Sequence, residues 1–277
     1  KKTITLGLHS ARSNEIIPIE SCEIATQSIN QNLSKIREAL IANNLITDFE
    51  IHRLKVVTSN QAQVSALLDE QLFWGNPSLQ ENINGFVFEL SPLSFWQGHI
   101  SAAKILSEDA FKLISPKNGE VLVDLYGGAG LFGIQIYLSA LKEDKKLAKV
   151  ISIEADSYSS EDGKVNYQNL AKSFALAQSN IFQVQTGKVE KLISKLNSAD
   201  LVVLDPPRAG INPEVITALS KLKPRAILYV SCDPASFARD ARELLATKYF
   251  SLRELNTYDL YPATAHVESM ALFTASN

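Results

Sequence analysis

The stretch VLVDLYGGAGLFG, residues 121–133, decides the fold of this chain. Its first half is an apolar run that predicts a buried strand, and its second half is a glycine-rich turn that opens a helix. Glycines lack a Cβ atom, so backbone N–H groups can approach a ligand at the start of that helix. The stretch therefore predicts a strand, a ligand-binding turn and a helix, in that order.

Apolar, β-rich runs alternate with helical stretches from Pro92 to the end of the chain. This alternation is typical of a parallel sheet that carries helices on both faces. Seven strands are predicted, at residues 121–126, 149–154, 181–186, 201–205, 226–231, 249–256 and 269–275. We therefore predict an α/β fold with a doubly wound, seven-stranded Rossmann-like sheet. Its ligands should bind outside the carboxyl ends of the strands.

The first 88 residues differ in texture and predict a smaller α+β domain. Residues 4–10 and 15–24 have the pattern of strands, and residues 29–44 predict a helix with one apolar stripe. That stripe consists of Ile29, Leu33, Ile36 and Leu40. The stretches between residue 59 and the boundary receive no element type. We place the boundary between residues 88 and 89, so that the doubly wound domain occupies residues 89–277.

Composition narrows the class of protein. Hydrophobic residues make up 45% and charged residues 21% of the 277 positions, and no apolar run is long enough to cross a bilayer. Cys22 and Cys232 are the only cysteines, so neither a disulfide framework nor a metal site is predicted. A net charge of -3 leaves only a local patch for binding nucleic acid. We expect a cytoplasmic protein without membrane contact or an obligate protein partner.

The glycine-rich turn is compatible with two classes of enzyme. Gly128, Gly130 and Gly133 fit G-x-G-x-x-G, and Glu154 ends the next predicted strand, near the spacing of about 20 residues found in nicotinamide oxidoreductases. Asp124 with the first two glycines also fits D-x-x-x-G-x-G, the form that binds S-adenosyl-L-methionine in methyltransferases, where Glu154 holds the ribose hydroxyls. The motifs further along the chain favour the methyltransferase.

Two further strand ends carry reactive side chains. LVVLDPPRAG, residues 201–210, ends a buried strand with Asp205 and Arg208 around two prolines that stiffen the turn. AILYVSCDPASFARD, residues 226–240, puts Cys232 at the end of the next strand, before a helix whose N-terminus favours a thiolate. A single cysteine after an apolar strand is more often buried packing. Its position at the predicted cleft favours a nucleophile.

DLYPATAHVESMALF, residues 259–273, supplies His266 and Glu268 before the last predicted strand. A carboxylate that opens a buried strand needs some compensation. A cysteine that adds to C6 of a pyrimidine makes C5 nucleophilic, and a base must afterwards remove the C5 proton. We predict Glu268 as that base and give His266 a supporting role, although either residue alone would suggest a solvated surface.

DLYGGAG, LDPPRAG, YVSCDP and DLYPATAHVES, in this order, resemble the RNA uridine C5 methyltransferase family, which makes 5-methyluridine in tRNA and ribosomal RNA. SPLSFWQGHISAAKIL, residues 91–106, resembles the family segment whose glutamine reaches the cofactor. The resemblance implies S-adenosyl-L-methionine-dependent methylation of a uridine in tRNA or rRNA, with residues 1–88 helping to grip the RNA. It implies cofactor contacts from Gln97, Tyr126, Gly128, Gly130, Glu154 and Asp205, a Cys232 nucleophile, a Glu268 base, and substrate contacts from Arg208 and His266.

Several positions depart from the family pattern. Gly127 stands where cysteine is frequent, His99 where asparagine is typical, Leu131 where some members have a polar residue, and Lys188 where an acidic residue is common. Some members hold a four-cysteine iron-sulfur cluster, and of its ligands only Cys22 has a counterpart here. A non-catalytic RNA-binding relative, and a methyltransferase acting on cytosine C5 or a small molecule, therefore stay open as alternatives.

Overall fold

The computed structural model describes residues 4–10, 13, 15–48, 50–174, 180–261, 264 and 266–276. The chain divides into two compact units, Lys1–Asn82 with Phe86–Leu93, and Ile83–Gly85 with Ser94–Asn277. The sequence-based boundary between residues 88 and 89 falls inside a strand of the first unit, Phe86–Leu90. Within the described ranges, every helix is too short or too polar to cross a membrane.

Short strands and two helices make up the first unit. Its elements are β1 (Gly7–His9), β2 (Ile16–Pro18), α1 (Gln27–Asn30), α2 (Leu33–Ala42), β3 (Leu54–Thr58), β4 (Val64–Leu68), β5 (Gln71–Gly75), β6 (Leu79–Ile83) and β7 (Phe86–Leu90). The strand pairs β1–β2 and β6–β7 accompany an antiparallel sheet in the order β3–β4–β5. Leu33 and Leu40 from α2 form a small core with Leu6.

The sequence predicted this unit only in part. Both expected N-terminal strands form, but over three residues each. The helix predicted over residues 29–44 is wrong as one element, because α1 ends at Asn30 and α2 starts at Leu33. The buried stripe is confirmed for the α2 positions. Strands β4 to β7 lie where no element was predicted, and β4 shows no apolar alternation because four of its five residues are buried.

The second unit alternates strands and helices. Its elements are α3 (Ala102–Ile114), β8 (Val121–Leu125), α4 (Leu131–Lys142), β9 (Lys149–Glu154), α5 (Ser157–Ser173), β10 (Phe182–Thr186), α6 (Val189–Leu192) followed by a 3-10 turn (Ile193–Lys195), β11 (Leu201–Leu204), α7 (Pro213–Leu222), β12 (Ala226–Ser231), α8 (Pro234–Ala246), β13 (Phe250–Tyr258) and β14 (Glu268–Ala275).

These seven strands form one sheet in the order β10–β9–β8–β11–β12–β14–β13. Strands β8 to β12 run parallel, and β14 runs antiparallel to its neighbours β12 and β13. The predicted doubly wound α/β fold is confirmed, with strand ends shifted by one or two residues. Tyr126 and Asp205, predicted as the last strand residues, instead lie directly after β8 and β11.

Strand side chains alternate in direction, so each strand contributes side chains to both faces of the sheet. Helices pack against both of these faces. Val123 and Leu125 of β8 share one core with Val215 of α7 and Leu244 of α8. Asp124, between them, points to the other face and accepts a hydrogen bond from the backbone N–H of Gly133 in α4. Strands β11 and β12 are buried along their whole length, which accounts for their continuous apolar sequence.

Candidate active site

The carboxyl edge of the sheet gathers most of the predicted site residues. The parallel strands β8, β9, β11 and β12 all end there. The residues that follow or close these strands are the glycine loop at residues 126–130, Glu154, Asp205 and Cys232. Ligands of doubly wound sheets bind at such an edge. The sheet therefore brings together residues that lie more than a hundred positions apart.

Strand β14 adds a carboxylate to the same edge. Because β14 runs opposite to β12, its first residue, Glu268, lies where β12 ends. The register pairs Ser231 with Ser269, so Glu268 and Cys232 stand next to this pair on adjacent strands. An antiparallel neighbour is what allows a residue at a strand start to face the end of a parallel strand.

The glycine loop is shaped for the approach of a ligand. Gly128 and Gly130 have φ angles of +52° and +93°, a region that favours glycine. The backbone N–H of Gly128 donates to Glu154 Oε2 at 3.0 Å, and the N–H of Asp156 donates to Glu154 Oε1 at 2.7 Å. Apart from Gly128 and its chain neighbours, no heavy atom of the described residues lies within 4 Å of the place where a Cβ of Gly128 would stand. The loop therefore presents open space beside an anchored carboxylate.

Two buried polar side chains hold this loop from beneath. Asp124 Oδ2 accepts from Gly133 N at 3.0 Å, and Asn166 Nδ2 donates to the carbonyl of Ala129 at 3.0 Å. Burial raises the pKa of Asp124 to about 7. Its Oδ1 atom has no hydrogen-bond partner among the described residues. No role was predicted for Asn166, because a polar residue within a helix gives no sequence signal of a loop contact.

Gln97 and Asp205 meet at the middle of the edge. Gln97 Nε2 donates to Asp205 Oδ2 at 3.3 Å, which joins the segment before α3 to the loop after β11. Asp205 keeps some exposure as a residue, but its carboxyl group is enclosed. Burial and, next, the charge of Glu268 raise the pKa of Asp205 well above its usual range, against the hydrogen bond from Gln97.

Cys232 is partly buried and not in a disulfide. Burial raises the pKa of its thiol, Glu268 and Asp205 raise it further, and Arg208 lowers it by charge and by a hydrogen bond. The helix that follows is capped as expected, with Asp233 Oδ1 accepting from Ser236 N at 2.7 Å. Burial and the two carboxylates therefore oppose the preference for thiolate that the helix N-terminus predicts.

Glu268 is 3% exposed and accepts a hydrogen bond from Tyr261 Oη at 3.2 Å. Burial raises the pKa of Glu268, and the Tyr261 hydrogen bond opposes that shift. The His266 ring packs edge-on against Tyr261, with 6.0 Å between ring centroids. His266 therefore contacts Tyr261, which in turn donates to Glu268. No role was predicted for Tyr261 from the sequence. Pro262 lies outside the described residues.

The positions that depart from the family pattern have local roles. His99 Nδ1 accepts from the backbone N–H of Ser101 at 3.2 Å, just before α3. A Cβ on Gly127 would lie 2.3 Å from Ser152 Oγ, so a side chain at position 127 requires the Ser152 side chain to move or to be replaced. Leu131 is buried at the start of α4. Lys188 is exposed at the start of α6, and its side chain does not cap that helix.

The site residues fall into two groups. The glycine-loop group contains Asp124, Tyr126, Gly128, Gly130 and Glu154, and Glu154 and Asp124 are the carboxylates that hold its backbone. The nucleophile group contains Gln97, Asp205, Arg208, Cys232, Tyr261 and Glu268, which are joined by hydrogen bonds or by charge. Tyr126 has a positive φ of 58° and turns the chain out of β8 into the loop.

Comparison with known proteins identifies one family. The sequence profile of the tRNA (uracil-5-)-methyltransferase family matches residues 76–276. An uncharacterized RNA methyltransferase of Fusobacterium nucleatum is 29% identical over 98% of this chain and 54% of its own length. One of Streptomyces coelicolor is 31% identical over 96% of this chain and 60% of its own length. The chain therefore spans little more than half the length of these relatives.

A solved structure shares the fold. The tRNA (uracil-54, C5)-methyltransferase of Pyrococcus abyssi, in complex with S-adenosyl-L-homocysteine, superposes with a TM-score of 0.74. The match covers 94% of this chain and 70% of that protein, at 21% sequence identity. The likeness thus establishes the architecture of the sheet and its helices.

Proposed function

Since this chain belongs to the tRNA (uracil-5-)-methyltransferase family, we propose that it methylates C5 of a uridine in RNA through a covalent bond from Cys232. The observation that carries the proposal is the antiparallel register of β12 and β14, which brings Cys232, directly after β12, beside Glu268, the first residue of β14, so that the charge of Glu268 acts on the thiol. A nucleophile and a base are the two groups that this reaction needs.

S-adenosyl-L-methionine fits the glycine-loop group. Glu154 is anchored at the end of β9 and has the oxygen atoms that ribose hydroxyls require, and the open side of Gly128 leaves room for a methionyl group. We assign Gln97, Tyr126, Gly128, Gly130, Glu154 and Asp205 to hold the cofactor. When bound, S-adenosyl-L-methionine supplies the methyl group to C5 and leaves as S-adenosyl-L-homocysteine.

Cys232 begins the reaction as a thiolate, after its proton has left to solvent. Its Sγ atom adds to C6 of the uracil ring, and the C5–C6 electron pair moves to make an enolate at C4. C5 is then a carbon nucleophile, which it is not in the free base. Arg208 stabilises the thiolate by charge and by a hydrogen bond, so this residue opposes the burial that otherwise keeps the thiol protonated.

Glu268 completes the reaction as the base. Its carboxylate takes the proton from methylated C5, the electron pair of the broken C5–H bond re-forms the C5–C6 double bond, and Cys232 Sγ leaves C6 as the thiolate. Burial raises the pKa of Glu268, which makes its carboxylate a stronger base than an exposed one. Tyr261 donates to one of the two carboxylate oxygens and fixes the orientation of the group. His266 packs edge-on against Tyr261 and supports the position of its ring.

RNA is the proposed macromolecular substrate. A uridine inside a base-paired stack cannot reach a cleft at a sheet edge, so the target base must be turned out of the RNA. Single-stranded loops offer such bases at the smallest cost in free energy. We propose that the first unit, predicted from the sequence as residues 1–88, contributes to holding the RNA.

A covalent trap tests the mechanism. RNA containing 5-fluorouridine, incubated with the protein and S-adenosyl-L-methionine, should form a denaturation-resistant adduct because fluorine at C5 cannot leave as a cation. Cys22→Ala is the matched control, since Cys22 lies in the first unit, and it should form the adduct as the natural protein does. Cys232→Ala should form none. An adduct that persists in Cys232→Ala, or its absence from the natural protein, contradicts the proposal.

A further inference from the structure

A buried carboxylate outside the reacting groups connects the two loops of the nucleophile group. Asp240, in α8, is 1% exposed. Its Oδ2 atom accepts from Tyr229 Oη at 2.7 Å and from the backbone N–H of Ile211 at 2.8 Å. Tyr229 belongs to β12, the strand that leads to Cys232, and Ile211 ends the loop that carries Arg208. One oxygen atom therefore links both segments.

Arg239 extends this connection. Its Nε and Nη2 atoms donate to Asp240 Oδ1 at 2.8 and 2.7 Å. The same Nη2 atom donates to the carbonyl of Ala209 at 2.7 Å, so the loop is held at two backbone positions. A forked ion pair of this kind fixes orientation more tightly than a single hydrogen bond does.

The loop is fitted to this pair at Gly210. A Cβ at this position would lie 2.2 Å from Asp240 Oδ2 and 2.4 Å from Arg239 Nη2, and φ is +77°. Only glycine allows the backbone to come so close. Gly210 follows Arg208 by two residues, so the place of Arg208 depends on how the loop seats against α8.

We propose that Asp240, together with Arg239, is a positioning residue that seats the Arg208 loop against the strand and helix flanking Cys232. The inference rests on the proposed role of Cys232. Asp240 acts through Arg208, which is the group that lowers the pKa of the Cys232 thiol. Loss of the Asp240 contacts should move Arg208 away from Cys232. Burial and the carboxylates would then raise the pKa of the thiol without the opposing effect of Arg208.

The test measures the alkylation rate of Cys232 by iodoacetamide as a function of pH, in a Cys22→Ala background where Cys232 is the only thiol. Because the thiolate is the reactive form, Asp240→Asn should shift the profile to higher pH and slow alkylation at pH 8 about fivefold. Arg208→Gln should shift it likewise. Since Asp240 acts through Arg208, adding Asp240→Asn to Arg208→Gln should change nothing further.

A similar ion pair at the opposite edge of the sheet provides the control. Glu120, before β8, holds Arg225, before β12, through two hydrogen bonds, one of them 2.8 Å long. Glu120→Gln should leave the alkylation profile unchanged. If Asp240→Asn does not fold, Arg239→Gln decides the question, because Arg239 is half exposed and its loss should shift the profile in the same direction.

The inference is overturned if the alkylation profile of Asp240→Asn against pH equals that of the natural protein, or if the shifts of Asp240→Asn and Arg208→Gln add up in the double variant. Alkylation requires neither RNA nor turnover. A protein that forms no adduct with 5-fluorouridine RNA but shows the Asp240 shift refutes the proposed function alone, whereas an adduct without the shift refutes the positioning role alone.

Discussion

The two groups at the carboxyl edge are built in different ways. The glycine-loop group takes Asp124, Gly128 and Gly130 from one strand and turn, and its hydrogen bonds go to backbone N–H groups. The nucleophile group takes Gln97, Cys232 and the rest from segments far apart in sequence, and its interactions join side chains. The glycine-loop group is thus held through its backbone, whereas the nucleophile group is held through contacts and charges between side chains.

Each group contains a buried carboxylic acid, and the two acids have different neighbours. Burial raises the pKa of both Asp124 and Glu268. Asp124 faces a helix start beneath the loop, where its Oδ2 atom holds Gly133. Glu268 lies at the start of β14, where its charge acts on the thiol of Cys232. The raised pKa thus accompanies a backbone contact in one group and the proposed proton transfer in the other.

The largest expected effect comes from Glu268→Gln. Without the base, the rate of methyl incorporation into RNA should fall about 10²- to 10⁴-fold. The affinity for S-adenosyl-L-homocysteine, measured by calorimetry, should stay the same because Glu268 is not among the residues that we assign to the cofactor. Equal losses of rate and affinity would show that the two groups are not separable.

The same variant has a second readout that moves in the opposite direction. Glu268 raises the pKa of the Cys232 thiol, so Glu268→Gln should lower that pKa and speed alkylation at pH 8. Because unfolding would also free the thiol from burial and speed its alkylation, the unchanged affinity for S-adenosyl-L-homocysteine must show that the variant stays folded. Slower alkylation in Glu268→Gln would contradict the charge balance described for the nucleophile group.

Gly128→Ala probes the other group with a smaller effect. A left-handed φ costs alanine about 1–2 kcal/mol of folding free energy, and the new methyl group enters the open space of the loop. We expect the affinity for S-adenosyl-L-homocysteine to fall about tenfold, which corresponds to about 1.4 kcal/mol. The alkylation profile of Cys232 should not change.

Gly119→Ala is the matched control. Gly119 precedes β8 at the opposite edge, has a φ of +78°, and has equally open space around a Cβ. It should lose a similar amount of thermal stability and no cofactor affinity. If Gly119→Ala weakens cofactor binding as much as Gly128→Ala does, the effect arises from stability and not from the loop.

The smallest effect concerns stability and pH. Because the pKa of Asp124 rises from 3.8 in the unfolded chain to about 7 in the fold, the folded protein binds more protons between these values. The contribution of Asp124 to the free energy of unfolding is therefore fully present below pH 3.8 and is lost as the pH rises through about 7. From pH 6 to pH 7 the loss is about 1 kcal/mol. When the free energy of unfolding by urea is plotted against pH, Asp124→Asn should show a flatter slope than the natural protein. Identical slopes would contradict the raised pKa of Asp124.

Sequence patterns predicted the second unit well and the first unit poorly. Strands β8 to β14 were found because apolar or alternating, β-rich runs stand between helical stretches, with ends correct to within two residues. In the first unit, β4 is buried without alternation and the helix breaks between Asn30 and Leu33. Such features depend on packing partners that local patterns do not contain.

The sequence by itself determined the order of elements in the second unit and the glycine turn, and it predicted Cys232, Asp205 and Glu268 as reactive residues, because these are local signals on the chain. Only the tertiary structure decided what surrounds each of them. The register of β14 against β12 brings Glu268 beside Cys232, and burial raises the pKa of Cys232 where the helix end alone predicted a thiolate. Solvation and the sum of neighbouring charges are properties of the folded site, so no single stretch of sequence carries them.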